Sequence, residues 1–143
     1  MAWSTPKTNW TVSYDNNGYY TGDWVNIGDY NRIKNNIAYI QSVAANVVYD
    51  TYPEMLADKV SYLEYPRASE WNRLENALNQ LASNIGGSFP AVLFMDNGYT
   101  PDYVELNRIE SMTATLKQQY ETAVKMKYRL PFTLGKDRSD IRV

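Results

Sequence analysis

Apolar residues recur along three stretches of the chain at alternating spacings of three and four. Tyr30, Ile33, Ile37, Ile40, Ala44 and Val47 form the first set, and Trp71, Leu74, Leu78, Leu81 and Ile85 the second. The third is looser: Leu106, Ile109, Met112 or Thr113, Leu116, Tyr120, and Ala123 or Val124. That rhythm is the seam of a helix packing lengthwise on other helices. It predicts helices over residues 27–48, over 66 or 69 to 85, and over 101–129. The expected fold is mainly α, an elongated three-helix bundle with heptad-like seams. Its core should contain Tyr30, Ile33, Ile37, Ile40, Val47, Trp71, Leu74, Leu78, Leu81, Ile85, Ile109 and Leu116.

One five-residue pattern opens all three stretches: Asp29-Tyr30-Asn31-Arg32-Ile33, Glu70-Trp71-Asn72-Arg73-Leu74 and Glu105-Leu106-Asn107-Arg108-Ile109. Each copy is acid, large apolar, Asn, Arg, branched aliphatic. The Asn-Arg pairs lie 41 and then 35 residues apart. A recurrence of that period means one supersecondary unit used several times. Each acid stands three residues before its Arg, so the two share a helix face. Such a pair contributes roughly 0.2–0.5 kcal/mol when exposed, and an acid in the first turn complements the helix dipole. Asn26 can cap the first helix with Asp29 three residues on, Thr100-Pro101-Asp102 opens the third, and Pro66 and Ser69 compete at the second. The cation is Arg three times and never Lys. A planar guanidinium with five donors suits a fixed partner, so the pattern reads as structural helix-start residues. Each Arg is expected to hold its helix to the preceding segment; a ligand site is the other reading.

Outside the helices the signals are local. Trp10 to Tyr14 alternates like a strand, Asp15-Asn16-Asn17-Gly18 is a turn, and residues 19–25 return as a second strand or run as an ordered arm. The turn lacks the alternating ligands and terminal Glu of a calcium loop. Residues 53–62 read as a short helix, with Pro53 at its first position and Glu54 and Asp58 following. Gly86-Gly87 stops the second helix, and the apolar run 91–95 is a buried strand or a packed loop. The resulting organisation is an aromatic, turn-rich N-terminal arm over 1–25, a three-helix domain over 26–130 and an extended C-terminal tail over 131–143.

Composition narrows the chemistry. The 143 residues favour one domain. A net charge of −2 without a Lys/Arg run argues against nucleic acid. No apolar run approaches the ~20 residues of a membrane span, and residues 1–7 lack a signal-peptide core. Cysteine and histidine are both absent, which removes disulfides, thiolate nucleophiles and the commonest general base and metal ligand. No phosphate-binding glycine loop occurs. The carboxylate pairs Glu54 with Asp58 and Glu105 with Glu110 read as solvated helix-face charges, so neither catalysis nor a cofactor is expected. Aromatics are the surplus, at 14%. Trp3, Trp10, Tyr14, Tyr19, Tyr20 and Trp24 sit on a polar segment that cannot form its own core. Large aromatics left over in this way anchor protein interfaces or stack on sugars. The tail alternates in sign, with Arg138 and Arg142 as candidate interface cations. The expected partners are therefore further copies of the chain and neighbouring proteins, with the arm clasping another copy or folding over its own helices.

Thr5-Pro6-Lys7-Thr8-Asn9-Trp10, the Tyr/Trp stretch after it, and Asn31-Arg32-Ile33 with Asn35-Asn36-Ile37 resemble a segment of virion proteins from phages and prophages of Firmicutes and gut bacteria. There a Pro-Lys-Thr-x-Trp start leads to an Asn-Arg-Ile-Glu-x-Asn-Ile helix. The likeness covers residues 5–40, and the later copies match the helix part only. Lys34 departs from the usual Glu, which Glu75 and Glu110 retain. The resemblance implies a structural part of the particle in the tail, baseplate or fibre attachment, and the expected function is a non-enzymatic component of a tail, baseplate or connector. Such a protein would be made in the bacterial cytoplasm, lie in the virion and touch other virion proteins. It supplies no catalytic residue. A carbohydrate or host-surface binding module using exposed Trp and Tyr is the alternative, and a small carboxylate hydrolase a distant third.

Overall fold

The computed structural model describes residues 3–61, 63–89, 91–94 and 101–129. Three helices pack on one another: α1 (Ile27–Ala44), α2 (Ala68–Asn84) and α3 (Tyr103–Arg129). Among the described residues there is no strand. The arm contains one isolated antiparallel bridge, Tyr14 with Tyr20, turned by Gly18 at φ 86°. Thr21 N–H to Ser13 O and Asp23 N–H to Thr11 O, at 2.8 and 3.1 Å, bring residues 19–25 back alongside residues 10–14.

The acid of each motif begins its helix in the same way. Asp29, Glu70 and Glu105 reach back to accept the backbone N–H of Asn26, Arg67 and Asp102, at 3.0, 2.7 and 3.3 Å. In α1 and α3 the cap side chain reciprocates, Asn26 accepting from Asp29 N–H and Asp102 from Val104 and Glu105 N–H. This satisfies donors that an isolated helix end leaves open. The α3 cap is therefore Asp102, and Thr100 lies outside the described residues. At the other end α1 stops at Ala44, short of the expected 48, and Gly86 at φ 82° lets Gly87 N–H turn back to Ala82 O and close α2.

The helices run in the same direction. From α1 to α3, Arg32 meets Glu110, Tyr39 meets Glu121, and Lys127 reaches the carbonyl of Asn46 just past α1. From α2 to α3, Arg108 meets Glu75 and Tyr120 meets the Leu81 carbonyl. Tyr30 stacks edge-on against Trp71 near the starts of α1 and α2, and Asp50 bonds Asn84 near their ends. Equivalent positions of the three repeats thus share layers: Tyr30, Trp71 and Leu106; Ile33, Leu74 and Ile109; Ile37, Leu78 and Thr113; Ile40, Leu81 and Leu116. All of these are buried. In the next layer Tyr120 faces the smaller Ala44 and the half-buried Ile85. Val47, expected in the core, is likewise only half-buried, because α1 has already ended.

Parallel helices need connections that travel the full length of the bundle, and this corrects the helix expected over 53–62. The 18 residues of α1 span about 27 Å. Ten helical residues would return only about 15 Å, whereas extended chain covers ~3.3 Å per residue. Residues 53–60 are accordingly extended, and Tyr62 lies outside the described residues. Glu54 and Asp58 are thus on extended chain and not on a helix face. Residues 91–94 are extended without sheet partners, so the packed-loop alternative describes them.

Candidate functional site

Each Asn of the repeat grips one residue of an extended segment by both of its backbone groups. Asn31 Nδ2 donates to Lys59 O at 2.8 Å and its Oδ1 accepts Lys59 N–H at 2.9 Å. Asn72 holds Phe94 at 2.8 and 2.7 Å, and Asn107 holds Trp10 at 3.0 and 2.8 Å. The pairing is cyclic. The segment leading to α2 lies on α1, the one leading to α3 lies on α2, and the one leading to α1 lies on α3. Lys59 precedes the α2 cap by eight residues and Phe94 the α3 cap by eight, whereas sixteen separate Trp10 from Asn26. The extra length in the first unit is the Tyr-rich hairpin.

The arginines do something other than expected. Arg32 places Nε and one terminal nitrogen on the two carboxylate oxygens of Glu110, at 3.1 and 2.7 Å, and its other terminal nitrogen on Asp29 at 2.8 Å. Arg108 spans Glu75 at 3.0 and 2.5 Å. They therefore fasten neighbouring helices, while the asparagines fasten the extended segments that lead to the next helix. Glu75 and Glu110 are fully buried, which corrects the reading of Glu110 as a solvated charge. Glu110 also accepts Lys7 N–H at 2.9 Å and the Trp10 indole N–H at 2.7 Å. Burial pulls the Arg32 pKa down, but its hydrogen bonds to Glu110 and Asp29, with their negative charges, outweigh it and hold the guanidinium charged.

The second copy breaks the pattern. Arg73 is exposed and makes no hydrogen bond or ion pair among the described residues, because the position of Glu75 and Glu110 is Lys34 in α1. Lys34 is buried and inverts the chemistry, donating to the Leu56 carbonyl at 2.7 Å and pairing with Asp58. Hydrogen bonding from Lys34 lowers the Asp58 pKa. Glu70, expected beside Arg73, instead pairs with Lys59 at 2.9 Å.

The three helix starts converge on a cavity of about 590 Å³. Trp10, Tyr20, Trp24, Tyr65, Trp71 and Tyr103 provide its aromatic walls, with Pro66, Pro101 and Leu106 between them. Its carboxylate and carboxamide side chains are already engaged. Asp23 accepts Thr11 N–H at 2.8 Å and pairs with Lys7 at 3.2 Å, which holds its carboxyl below the usual range. Asn26 and Asp102 are the caps of α1 and α3. The site therefore offers apolar area and aromatic faces, and carboxylates held as anions are poor proton donors at neutral pH.

Among the predicted interface residues, Trp10, Tyr14, Tyr20 and Trp24 meet at this cavity. Trp10 is 3% exposed and belongs to the chain's own core, so it is not a free surface anchor. Trp3 is half-buried, 5.7 Å from the Tyr39 ring with Lys117 over its other side. Tyr14, Tyr19 and Trp24 are 64–72% exposed. Tyr19 does not line the cavity, and Arg138 and Arg142 lie outside the described residues. Sequence reading missed Tyr65 and Tyr103 as wall residues. One signal was present: Trp24 and Tyr65 each stand two residues before a helix cap. Among the described residues, no group of three or more acidic side chains could hold a metal ion, and no helix is long and apolar enough to cross a membrane. No family model, no curated protein and no solved structure matches the chain.

Proposed function

We propose that this chain is a non-enzymatic structural component of a bacteriophage particle, in a tail, baseplate or connector, acting through protein–protein contacts. The observation that carries the reading is the division of labour in the fold. The polar repeat is consumed in holding helices and segments together, and apolar surface is left at the end where all three helices begin. Tyr14, Trp24 and Tyr65 are more than 60% exposed there, around an aromatic cavity. Exposed aromatic clusters of this kind mark protein contacts. The resemblance of residues 5–40 to phage virion segments supplies the setting. Mass spectrometry of purified particles from the producing host tests it. The chain should be present in particles in fixed ratio to other structural proteins, and its absence from washed particles would end the proposal.

A carbohydrate-binding role draws on the same aromatic walls, since sugar rings stack on Trp and Tyr. Sugar sites also use carboxylate and carboxamide side chains to bond the ring hydroxyls, and here Asp23, Asn26 and Asp102 are committed within the chain. Glycan-array binding that is lost in Trp24→Ala would reverse this preference.

A further inference from the structure

The bundle is polar along its length: the cavity lies where the helices start, and the chain leaves α3 at the opposite end. Extended segments fill all three interhelical grooves. Residues 3–10 lie between α3 and α1, bonded to Asn107 and Glu110 on one side and to Asn36 on the other. Residues 50–61 lie between α1 and α2, where Gln41 holds Pro53 O and Gln80 holds Thr51 O. Residues 87–89 and 91–94 lie between α2 and α3, with Val92 N–H on Glu75 and the Arg108 guanidinium over the Phe89 ring.

The sequence carries one more such segment than there are grooves. Tyr52-Pro53 follows α1 and Phe89-Pro90 follows α2; directly after α3 the sequence carries another apolar Pro-containing stretch, Leu130-Pro131-Phe132-Thr133-Leu134. With the grooves occupied, the aromatic cavity remains as a concave apolar site. Its volume, about 590 Å³, falls within the roughly 300–1,000 Å³ of sites that enclose small ligands or side chains. Tyr and Trp walls suit an extended Pro-containing segment, whose carbonyls can accept from rim hydroxyl and indole donors while proline and phenylalanine cover the rings.

Geometry decides which copy supplies the segment. Tyr103, at the cavity, and Arg129 are the two ends of a 27-residue helix, so they stand about 40 Å apart. Five extended residues reach at most ~18 Å. Residues 130–134 therefore cannot enter the cavity of their own chain. We infer that the aromatic cavity receives the Leu130-Pro131-Phe132-Thr133-Leu134 segment of a second copy, stacking chains head to tail along the bundle axis. The contact is heterologous, and repeating it elongates the assembly or closes a ring according to the rotation between copies. The inference rests on the fold alone and stands apart from the chain's place in a particle.

The test uses the full chain and two variants, Tyr65→Asp at the exposed cavity rim and Phe132→Asp in the segment. Sedimentation at rising concentration follows assembly, and circular dichroism checks that each variant keeps its helical melt. If Tyr65→Asp melts early, Trp24→Ser, another exposed rim change, replaces it. The unaltered chain should assemble progressively. Each variant alone should stay monomeric, with association weakened by about tenfold or more. An equal mixture should form a dimer and stop, because one partner keeps its cavity and the other its segment. A chain that stays monomeric at millimolar concentration overturns the inference. So does a variant that assembles alone, or a mixture that remains monomeric.

Discussion

Glu110→Ala removes the most connected side chain in the bundle. Its carboxylate is buried and accepts the Arg32 guanidinium twice, the Lys7 backbone N–H and the Trp10 indole N–H. Breaking a buried ion pair from one side costs about 3–5 kcal/mol, because the surviving charge is left without compensation. Here Arg32 is 21% exposed and keeps Asp29, which reduces that part. The two N–H donors left in place each add about 1–3 kcal/mol if water cannot reach them. The expected loss is therefore about 3–5 kcal/mol, a large share of the 5–15 kcal/mol that stabilises a typical domain. Urea unfolding of parent and variant, compared at midpoint with the slope checked for constancy, measures it. Glu110→Gln should cost less, since the amide keeps the shape and one acceptor. A loss under about 1 kcal/mol for the alanine variant would show that Glu110 is not the buried hub described, and the reasoning from burial and partners would fail with it.

The three arginines should separate despite their shared motif. Arg108→Lys should cost about 1–3 kcal/mol by losing the two-point grip on Glu75, while Arg73→Ala should stay within about 0.5 kcal/mol, as unfolding midpoints will show. Leu78→Asp places a charge in a fully buried layer and should unfold the chain at room temperature; a parent-like melt would disprove the layer assignment. With no histidine or cysteine, stability should be flat between about pH 5.5 and 9. Below that range it should fall. The carboxyls of Asp58, held by Lys34, and of Glu70, where burial is outweighed by the Lys59 and Arg67 N–H hydrogen bonds and the two cations' charges together, are depressed in the folded state. The unfolded chain therefore binds protons first, and the contribution present above the ordinary carboxylate range is lost as pH drops through the folded values. At the alkaline end, burial raises Tyr30 from 10.0 to about 12, so its contribution is intact below pH 10 and lost as pH climbs to about 12. A thermal-melt series across pH checks all three regions.

Much of the fold was legible because its signals are local. The three-four spacing located the seams, and the Asp29, Glu70 and Glu105 motifs marked the helix starts to within a turn. Partner identity was not legible, because it depends on the helices being parallel. An acid three residues from an Arg looks like a self-contained pair until Glu110 is known to face Arg32 from another helix. The same ignorance of topology made residues 53–62 read as a helix: Pro53, Glu54 and Asp58 are sound local start signals, but Asn31, Lys34 and Gln41 take the segment's backbone groups. At the cavity, Trp24 and Tyr20 stood out as surplus aromatics. Tyr65 and Tyr103 did not, since each is isolated in sequence and meets the others only when the three helix starts come together.

The central claim is the cyclic clasp: three equivalent asparagines, each holding the segment that leads to the next helix. Nuclear Overhauser contacts from the side-chain amides of Asn31, Asn72 and Asn107 test it most directly. Contacts from these amides to Lys59, Phe94 and Trp10 respectively are expected, with all three amides protected from solvent exchange. Contacts between Trp10 and Asn31, or three freely exchanging amides, would contradict it.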